Sequence, residues 1–450
     1  MLNQGLEQFA GKRVLLLQGP VGPFFTRLAK DLRQAGAQQV FKVNFNAGDW
    51  FFYPRGAFNY RGSMEDWPGW FGALVERLRI DVVFLFGDCR PIHSVAHKIA
   101  VEKGLDIGVF EEGYVRPDYI TLERFGVNGY SQLPRVPDYY LDKADNSAQI
   151  TKTQAVKNAY WAMAGCSFWY FLMGALGRPW FSNYRHHRPL VIEVLPWLRS
   201  AWRKQWYRWV ERNAQDELIK RWSQHYFLVP LQVFNDTQLT RHADFEGVDH
   251  FIESVVASFV QNAPPDTLLV FKHHPMDRGY KNYAGLIRQL AREAGIADRV
   301  RYIHDQHLPS LLDHARGVVV VNSTVGLSAL HHRTPTKVCG NALYDIRGLT
   351  YQGALDEFWT AAPGAKPDQA LYQCFRRHLI TQTQLNGSFY RPLDLPGSHT
   401  GLRWAVTTKP VYEAQVPVCP VEVAYGAQAS VRAVGGVKPA ETFQGSFKVL

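Results

Sequence analysis

The sequence predicts an α/β protein built from two doubly wound, Rossmann-type domains that face a cleft, with a helical aromatic and basic insert between them. Three observations lead there. Short apolar, β-branched runs alternate with amphipathic segments up to residue 110, the same alternation resumes after residue 225, and the chain between them has a different texture. Strand–helix alternation of this kind implies parallel sheets covered by helices on both faces. At 450 residues the chain is long enough for two or three such cores.

In the first half, strands are predicted at 13–18, 39–45, 81–86 and 106–110, and helices at 24–35, 64–77 and 91–103. The turn Gln18-Gly19-Pro20-Val21-Gly22-Pro23 lacks the GxGxxG spacing of a dinucleotide clamp and reads as a tight strand-to-helix turn. In the second half, strands are predicted at 225–230, 267–272, 301–303, 317–322 and 336–338, with helices at 250–261, 283–294, 308–315 and 325–331. Two such units around a cleft make a GT-B-like plan, and no DxD triplet, the metal clamp of the alternative GT-A plan, is present. Metal-independent chemistry with no metal ligands is therefore expected. The expected division is 1–145 as an N-terminal, acceptor-side domain, 146–224 as the insert, 225–395 as a nucleotide-sugar domain and 396–450 as a tail of unknown role.

Residues 159–177 form a run with no charged side chain, long enough by count to cross a bilayer. One crossing would put the halves of a shared site on opposite sides of a membrane, so a helix or hairpin packed on the domains or dipped into the interface is expected. Next, Trp202, Trp206 and Trp209 share one helical face, with Arg199, Arg203, Lys204, Arg208 and Arg212 around them. That composition suits the headgroup level of an anionic membrane, and the competing reading is a tryptophan-rich core. No nucleic-acid-binding module accompanies the basic residues, so no nucleic acid is expected. The net charge of +10 favours anionic partners. Five scattered cysteines without a CxxC pair and a polar N-terminus without a signal sequence fit a reducing cytoplasm.

Three motifs carry candidate chemistry. Glu111-Glu112-Gly113 ends a strand; adjacent carboxylates raise one another's pKa, which suits acid/base work, although such a pair also serves as a helix cap. Lys272-His273-His274-Pro275 ends another, where proline stops the strand and leaves an imidazole at the sheet edge. Asn322-Ser323-Thr324-Val325-Gly326 opens a helix, where hydroxyls and free N–H groups hold anions, or simply cap the helix.

The order acid–acid–Gly, His–Pro, Ser–Thr resembles the bacterial sialyltransferases and Kdo transferases, which use CMP-activated acidic sugars. More specifically, residues 14 to about 390 resemble the KpsS/LipB-type capsule polysaccharide proteins. The resemblance rests on Leu17-Gln-Gly-Pro-Val-Gly-Pro-Phe-Phe25, Lys42-Val-Asn-Phe-Asn-Ala-Gly-Asp49, Phe86-Gly-Asp-Cys-Arg-Pro-Ile-His93 and Val109-Phe-Glu-Glu-Gly-Tyr-Val-Arg-Pro-Asp118, together with the His–Pro and Ser–Thr motifs. It implies a retaining β-Kdo transferase that needs no cofactor, moving Kdo from CMP-Kdo to phosphatidylglycerol. The product would begin the poly-Kdo linker on which capsule export depends. The enzyme would sit peripherally on the anionic cytoplasmic face of the inner membrane, with other capsule assembly proteins as partners.

Under that resemblance Glu112 is expected as the main catalytic carboxylate, nucleophile or base, with Glu111 as its neighbour and His274 binding or protonating the CMP phosphate. Lys272, Pro275, Asn322, Ser323, Thr324 and Gly326 belong to the donor site, and Gln232 and Asp236 are added to it. Asn44, Asn46, Asp49, Asp88, Arg90, His93 and Arg116 are expected to shape the acceptor side or recognise the Kdo hydroxyls and carboxylate. Two alternatives stay open: a sialyltransferase-like enzyme with another acceptor, and a non-catalytic member of a capsule export complex.

Overall fold

A computed structural model describes residues 5–142, 152–177, 180–181, 190–234 and 245–404, with the backbone alone for 190–194. The first lobe opens with β1 (Arg13–Leu16), α1 (Phe24–Gln34), β2 (Gln39–Asn44), α2 (Ala47–Phe52) and β3 (Phe58–Asn59). It continues through α3 (Trp67–Leu78), β4 (Val82–Phe86), α4 (Pro91–Glu102), β5 (Asp106–Glu112) and β6 (Tyr119–Arg124), after which α5 (Pro137–Leu141) crosses to the second lobe, with Tyr140 in that lobe's core. The insert contributes α6 (Tyr160–Leu176), α7 (Leu190–Val210) and α8 (Ala214–Lys220). The second lobe holds β7 (Tyr226–Pro230), α9 (Val248–Asn262), β8 (Leu268–Lys272), α10 (Ala284–Glu293), β9 (Val300–Ile303) and α11 (Leu308–His314). It ends with β10 (Gly317–Val320), α12 (Val325–His331), β11 (Thr336–Val338), α13 (Leu355–Ala361) and α14 (Gln369–Thr383), before β12 (Gln384–Asn386).

The second sheet, in the order β11-β10-β7-β8-β9, is parallel throughout. Its central strands Tyr-Phe-Leu-Val-Pro and Leu-Leu-Val-Phe-Lys are buried at every position, as a sheet covered on both faces requires. The first sheet runs β12-β6-β5-β4-β1-β2-β3. Val14 and Leu16 of β1 face Leu28 and Leu32 of α1, while Leu15 points the other way toward Phe71 and Ala96, the period-two division of a strand between two cores.

Two features depart from the sequence expectation. The Glu111-Glu112-Gly113 turn leads not into a helix but into β6, which returns antiparallel to β5. The expected break between nucleotide-sugar domain and tail at 395 is not where the chain changes lobes. From β12, which pairs antiparallel with β6, the chain already belongs to the first lobe. Phe389 and Leu402 complete that lobe's core, with the Phe389 ring edge-on to Phe24 at 4.8 Å. Buried Asp31 of α1 gathers this returning segment. It accepts from the His399 and Thr400 N–H groups at 2.6 and 2.9 Å and from the Thr400 hydroxyl at 2.6 Å. With the Ser398 hydroxyl at 3.3 Å, four hydroxyl and N–H donors would lose their carboxylate acceptor if it were removed.

The first two insert helices are fastened to different lobes. Tyr170 of α6 is fully buried against the first lobe, receiving a hydrogen bond from Asn46 Nδ2 at 2.6 Å. Arg203 and Tyr207 of α7 face the second lobe, and Phe171 of α6 meets Trp197 of α7 edge-on at 5.5 Å. Among the described residues no helix is long and apolar enough to cross a membrane. The tryptophans at 202, 206 and 209 are exposed, so they are not core residues.

Asp31→Ala is expected to lower unfolding stability by about 3 kcal/mol, because buried donors lose a charged acceptor, while Asp31→Asn, which keeps one acceptor oxygen, loses less. Urea unfolding of the two variants beside the wild type checks this; equal stabilities would show that the 398–400 clamp contributes nothing.

Candidate functional site

In open α/β sheets ligands bind beyond the carboxyl ends of the strands, where the strand order reverses. The first sheet reverses between β1 and β4, the second between β7 and β10. Both reversals open onto one cavity of about 270 Å³. The first lobe lines it with Phe86, Gly87, Cys89, Arg90, Glu111, Glu112, Arg116 and Asn128, the second with Gln232, Val233, His274, Asn322, Ser323 and Thr324. A polar bridge spans each reversal. Arg90 Nη1 donates to Gln18 Oε1 at 3.5 Å on one side, and Gln232 Nε2 donates to Asn322 Oδ1 at 2.8 Å on the other.

The acidic wall is the end of β5. Glu112 N–H donates to Glu111 Oε1 at 2.9 Å, which turns that carboxylate back along the chain. Burial pushes the Glu111 carboxyl up to about 7, the charge of Glu112 adding to the effect and Arg90 opposing it. Burial also raises Glu112, opposed by Arg116. Both carboxyls are thus held above the ordinary glutamate range, as suits acid/base work. Arg90 lies over the Phe86 ring at 4.9 Å, and Arg116 is steadied by the Gly113 carbonyl at 3.3 Å. Asn128 sits in the left-handed region at φ 56°, held by its N–H to Tyr114 Oη at 2.6 Å; that hydroxyl in turn donates to buried Glu123.

The opposite wall carries His274. Its Nδ1 accepts the Met276 N–H at 3.2 Å, which leaves Nε2–H as the donor the ring can offer. Burial, with the nearby charges of Lys272 and Arg116, lowers it to about 4, so the imidazole is neutral at physiological pH. Ser323 and Thr324 stand at the start of α12. The Ser323 hydroxyl accepts the Val325 N–H at 3.2 Å, and Tyr344 donates to the Ser323 carbonyl. Gly326 allows this approach, since a Cβ there would lie 2.2 Å from the Tyr344 hydroxyl oxygen.

Several residues expected at the site lie elsewhere. Lys272 is buried behind the wall and donates to the His304 carbonyl at 3.0 Å, Pro275 points to solvent, and Gly326 packs on Tyr344. Asn44 is buried and donates to the Tyr53 carbonyl at 3.0 Å. Asn46 caps α2 by accepting the Asp49 N–H at 2.8 Å, and Asp49 accepts the Phe45 N–H at 3.0 Å and Gln18 Nε2 at 3.1 Å. Away from the cavity, these two side chains form the seat of Tyr170. Asp88 lies beneath the cavity floor and accepts the Val127 N–H at 2.9 Å. His93 is fully buried, its Nδ1 at 2.7 Å from the Gly87 carbonyl oxygen. Asp236 lies outside the described residues. Gly87, Cys89, Asn128 and Val233 line the cavity without having been singled out. The Asn128-Gly129 pair is a turn signal that would have marked the first of the two lobe-joining loops, and Asn341 Nδ2 reaches the Gly129 carbonyl across the lobes at 3.2 Å. Among the described residues no group of three or more His, Cys, Asp or Glu side chains is placed to hold a metal.

A family model described as "capsule polysaccharide biosynthesis protein" matches residues 81–390. The chain is 44% identical over 384 residues to the Escherichia coli capsule polysaccharide export protein KpsS, covering 85% of this chain and 97% of that one. It is 39% identical over 399 residues to the capsule polysaccharide modification protein LipB of Neisseria meningitidis serogroup A, covering 87% and 94%. Among solved structures, Thermosulfurimonas dismutans KpsC, a β-Kdo 2,7 transferase, aligns over 86% of this chain and 94% of that one at 14% identity and a TM-score of 0.42.

The raised Glu111 pKa carries a signature in stability. Below its ordinary value of 4.5 the carboxyl is protonated folded and unfolded alike; between 4.5 and about 7 only the unfolded chain ionises, so the fold weakens as pH rises and then levels off. Glu111→Gln is therefore expected to match wild-type stability at about pH 4 and to exceed it by about 2–3 kcal/mol at about pH 8. Denaturation curves at the two pH values test this, and a pH-independent difference would refute the buried, raised carboxyl.

Proposed function

The chain belongs to the capsule polysaccharide biosynthesis protein family, and on that premise we propose that it transfers Kdo from CMP-Kdo to phosphatidylglycerol, founding the glycolipid on which a capsular polysaccharide is built. The observation that carries the reading is the single cavity into which one lobe brings two carboxylates and two arginines, and the other a neutral imidazole, two hydroxyls and two amides. Two guanidinium groups suit a donor bearing both a phosphate and a sugar carboxylate.

In this scheme the CMP phosphate lies against His274, Ser323 and Thr324. His274, neutral and with Nε2–H available, donates a hydrogen bond to the phosphate oxygen on which negative charge develops. Arg90 and Arg116 hold the Kdo carboxylate, and Asn322 and Gln232 keep the nucleotide side in register. As the bond from the anomeric carbon to the phosphate oxygen breaks, its electron pair leaves with CMP. The new bond forms to the glycerol hydroxyl oxygen of the lipid, and that proton passes to a carboxylate of the Glu111–Glu112 pair. In a retaining reaction Glu112 first occupies the anomeric carbon and is then displaced by the acceptor. The reaction proceeds without a metal. The enzyme works peripherally at the cytoplasmic face of the inner membrane, where its lipid acceptor and anionic surface coincide, beside other capsule assembly proteins.

The test is turnover with purified protein, CMP-Kdo, phosphatidylglycerol vesicles and excess EDTA, read as CMP release and lipid glycosylation. Glu112→Gln is expected to lower kcat about 1000-fold, and His274→Ala about 10- to 100-fold with a raised donor KM. Turnover with CMP-sialic acid or a soluble glycan in preference would replace this reading by the sialyltransferase-like one, and capsule assembly undiminished by Glu112→Gln would make the protein a non-catalytic component.

A further inference from the structure

Helix α7 has two faces with different tasks. The inner stripe, Pro196, Ser200, Arg203 and Tyr207, followed by Glu211, is partly buried on the second lobe. On the opposite side Leu195, Leu198, Trp202, Trp206 and Trp209 stand in solvent, Trp202 at 62% and Trp209 at 61% exposure. Trp202 and Trp206 stack at 5.8 Å, and the exposed cations Arg199, Lys204 and Arg208 stand beside them with no acidic residue between Leu195 and Val210. A tryptophan ridge with cationic flanks and no opposing charge fits one partner, the headgroup layer of an anionic bilayer.

What makes this more than an anchor is the object the inner stripe holds. The turn Pro275–Gly279 follows directly on His274. Gly279 lies under Pro196 so closely that a Cβ would come 2.2 Å from the Pro196 carbonyl oxygen. Arg203 Nη1 donates to the Arg278 carbonyl at 2.8 Å, and Arg278 reaches the Ser200 hydroxyl at 3.4 Å and pairs with Asp305. Further along, Glu211 accepts the His304 N–H at 2.9 Å, and Tyr207 stacks on the His304 ring at 3.5 Å. The His304 carbonyl is the acceptor for Lys272. The segments on both sides of His274 are thus gripped by one helix. The same turn reaches the rest of the nucleotide wall, because Asp277 accepts the Phe234 N–H at 2.7 Å immediately after cavity-lining Gln232 and Val233.

We propose that docking of the α7 tryptophan ridge on an anionic bilayer immobilises the His274 turn through Arg203, Tyr207 and Glu211, so that the cavity binds its nucleotide more tightly on the membrane than in solution. The three are positioning residues; none lines the cavity. The nucleotide half of the statement rests on the transferase reading above, whereas the coupling of lipid surface to turn does not. Coupling between two binding sites is typically worth a factor of five or more in affinity, and about tenfold is expected here.

Hydrogen–deuterium exchange of the full-length protein with phosphatidylglycerol or phosphatidylcholine vesicles tests the coupling, with CMP affinity measured in parallel. Phosphatidylglycerol vesicles should slow exchange across 272–280 and tighten CMP about tenfold. Arg203→Ala should bind the vesicles equally well yet show neither effect, and Arg203→Lys, which keeps one donor, should recover part of both. Replacing the ridge by W202E and W206E together should abolish vesicle binding and, with it, the protection. Vesicle binding with unchanged exchange at 272–280, equal protection in Arg203→Ala, or no preference for the anionic lipid would each overturn the proposal. Protection at 272–280 without any CMP binding would uphold the coupling and refute the CMP-sugar reading instead.

Discussion

One buried side chain, Gln384, holds the acidic wall of the cleft in place. Its Oε1 accepts the N–H groups of Tyr114 and Val115 at 3.0 and 3.4 Å, and its Nε2 donates to the Thr121 and Thr383 hydroxyls at 3.0 and 2.9 Å. Thr121 passes the restraint on, donating to the Glu112 carbonyl at 2.9 Å. The turn from Glu112 through Arg116 is therefore fixed by a residue that arrives only after the chain has completed the second lobe. Because unpaired backbone N–H groups are costly when buried, this amide sets where the carboxylates and Arg116 stand. The lobes also meet directly beside the site, where Asn341 Nδ2 donates to the Gly129 carbonyl.

The chemistry of the cavity follows from what its walls exclude. Burial, as the largest cause, raises the glutamates and lowers the histidine, so the first-lobe acids and the second-lobe imidazole approach the neutral state from opposite directions. Two guanidinium groups, Arg90 and Arg116, share the cavity with them. Each wall is braced across its strand reversal by an amide, Gln18 beneath Arg90 and Gln232 beside Asn322. The two halves solve the same problem, positioning polar groups at a gap in a sheet, with the same kind of side chain.

The insert ties these walls to the outside of the molecule. On the first lobe Tyr170 of α6 sits within 3.3 Å of Gln18 Nε2, the glutamine that also receives Arg90. On the second lobe α7 grips the turn after His274. Both helices also expose apolar surface, Trp161 and Trp169 on α6 and the ridge on α7. Such surface is costly to leave in water, which is why it reads as a contact face rather than as neglected packing.

The alternation of strand and helix was legible in the sequence because period and burial are local properties. For the same reason Glu111-Glu112, His274 and Ser323-Thr324 could be recognised as strand-end positions. Their convergence on one cavity, and the reversals that create it, were decided by sheet order, which pairs residues far apart in the chain. Asn46 and Asp49 show the limit most clearly. As polar residues beyond a strand end they have the same signature as a ligand-binding pair, but only the packed position of Tyr170, more than a hundred residues on, makes them a seat for a helix. The three-residue β12 has no period to detect, yet it completes the first sheet and carries Gln384. By itself the sequence determined the longer strands and helices of both lobes and which strand ends carried reactive groups. The tertiary structure alone decided which of those ends face one another, because hydrogen-bond partners across a fold are chosen by proximity in space and leave no mark on sequence spacing.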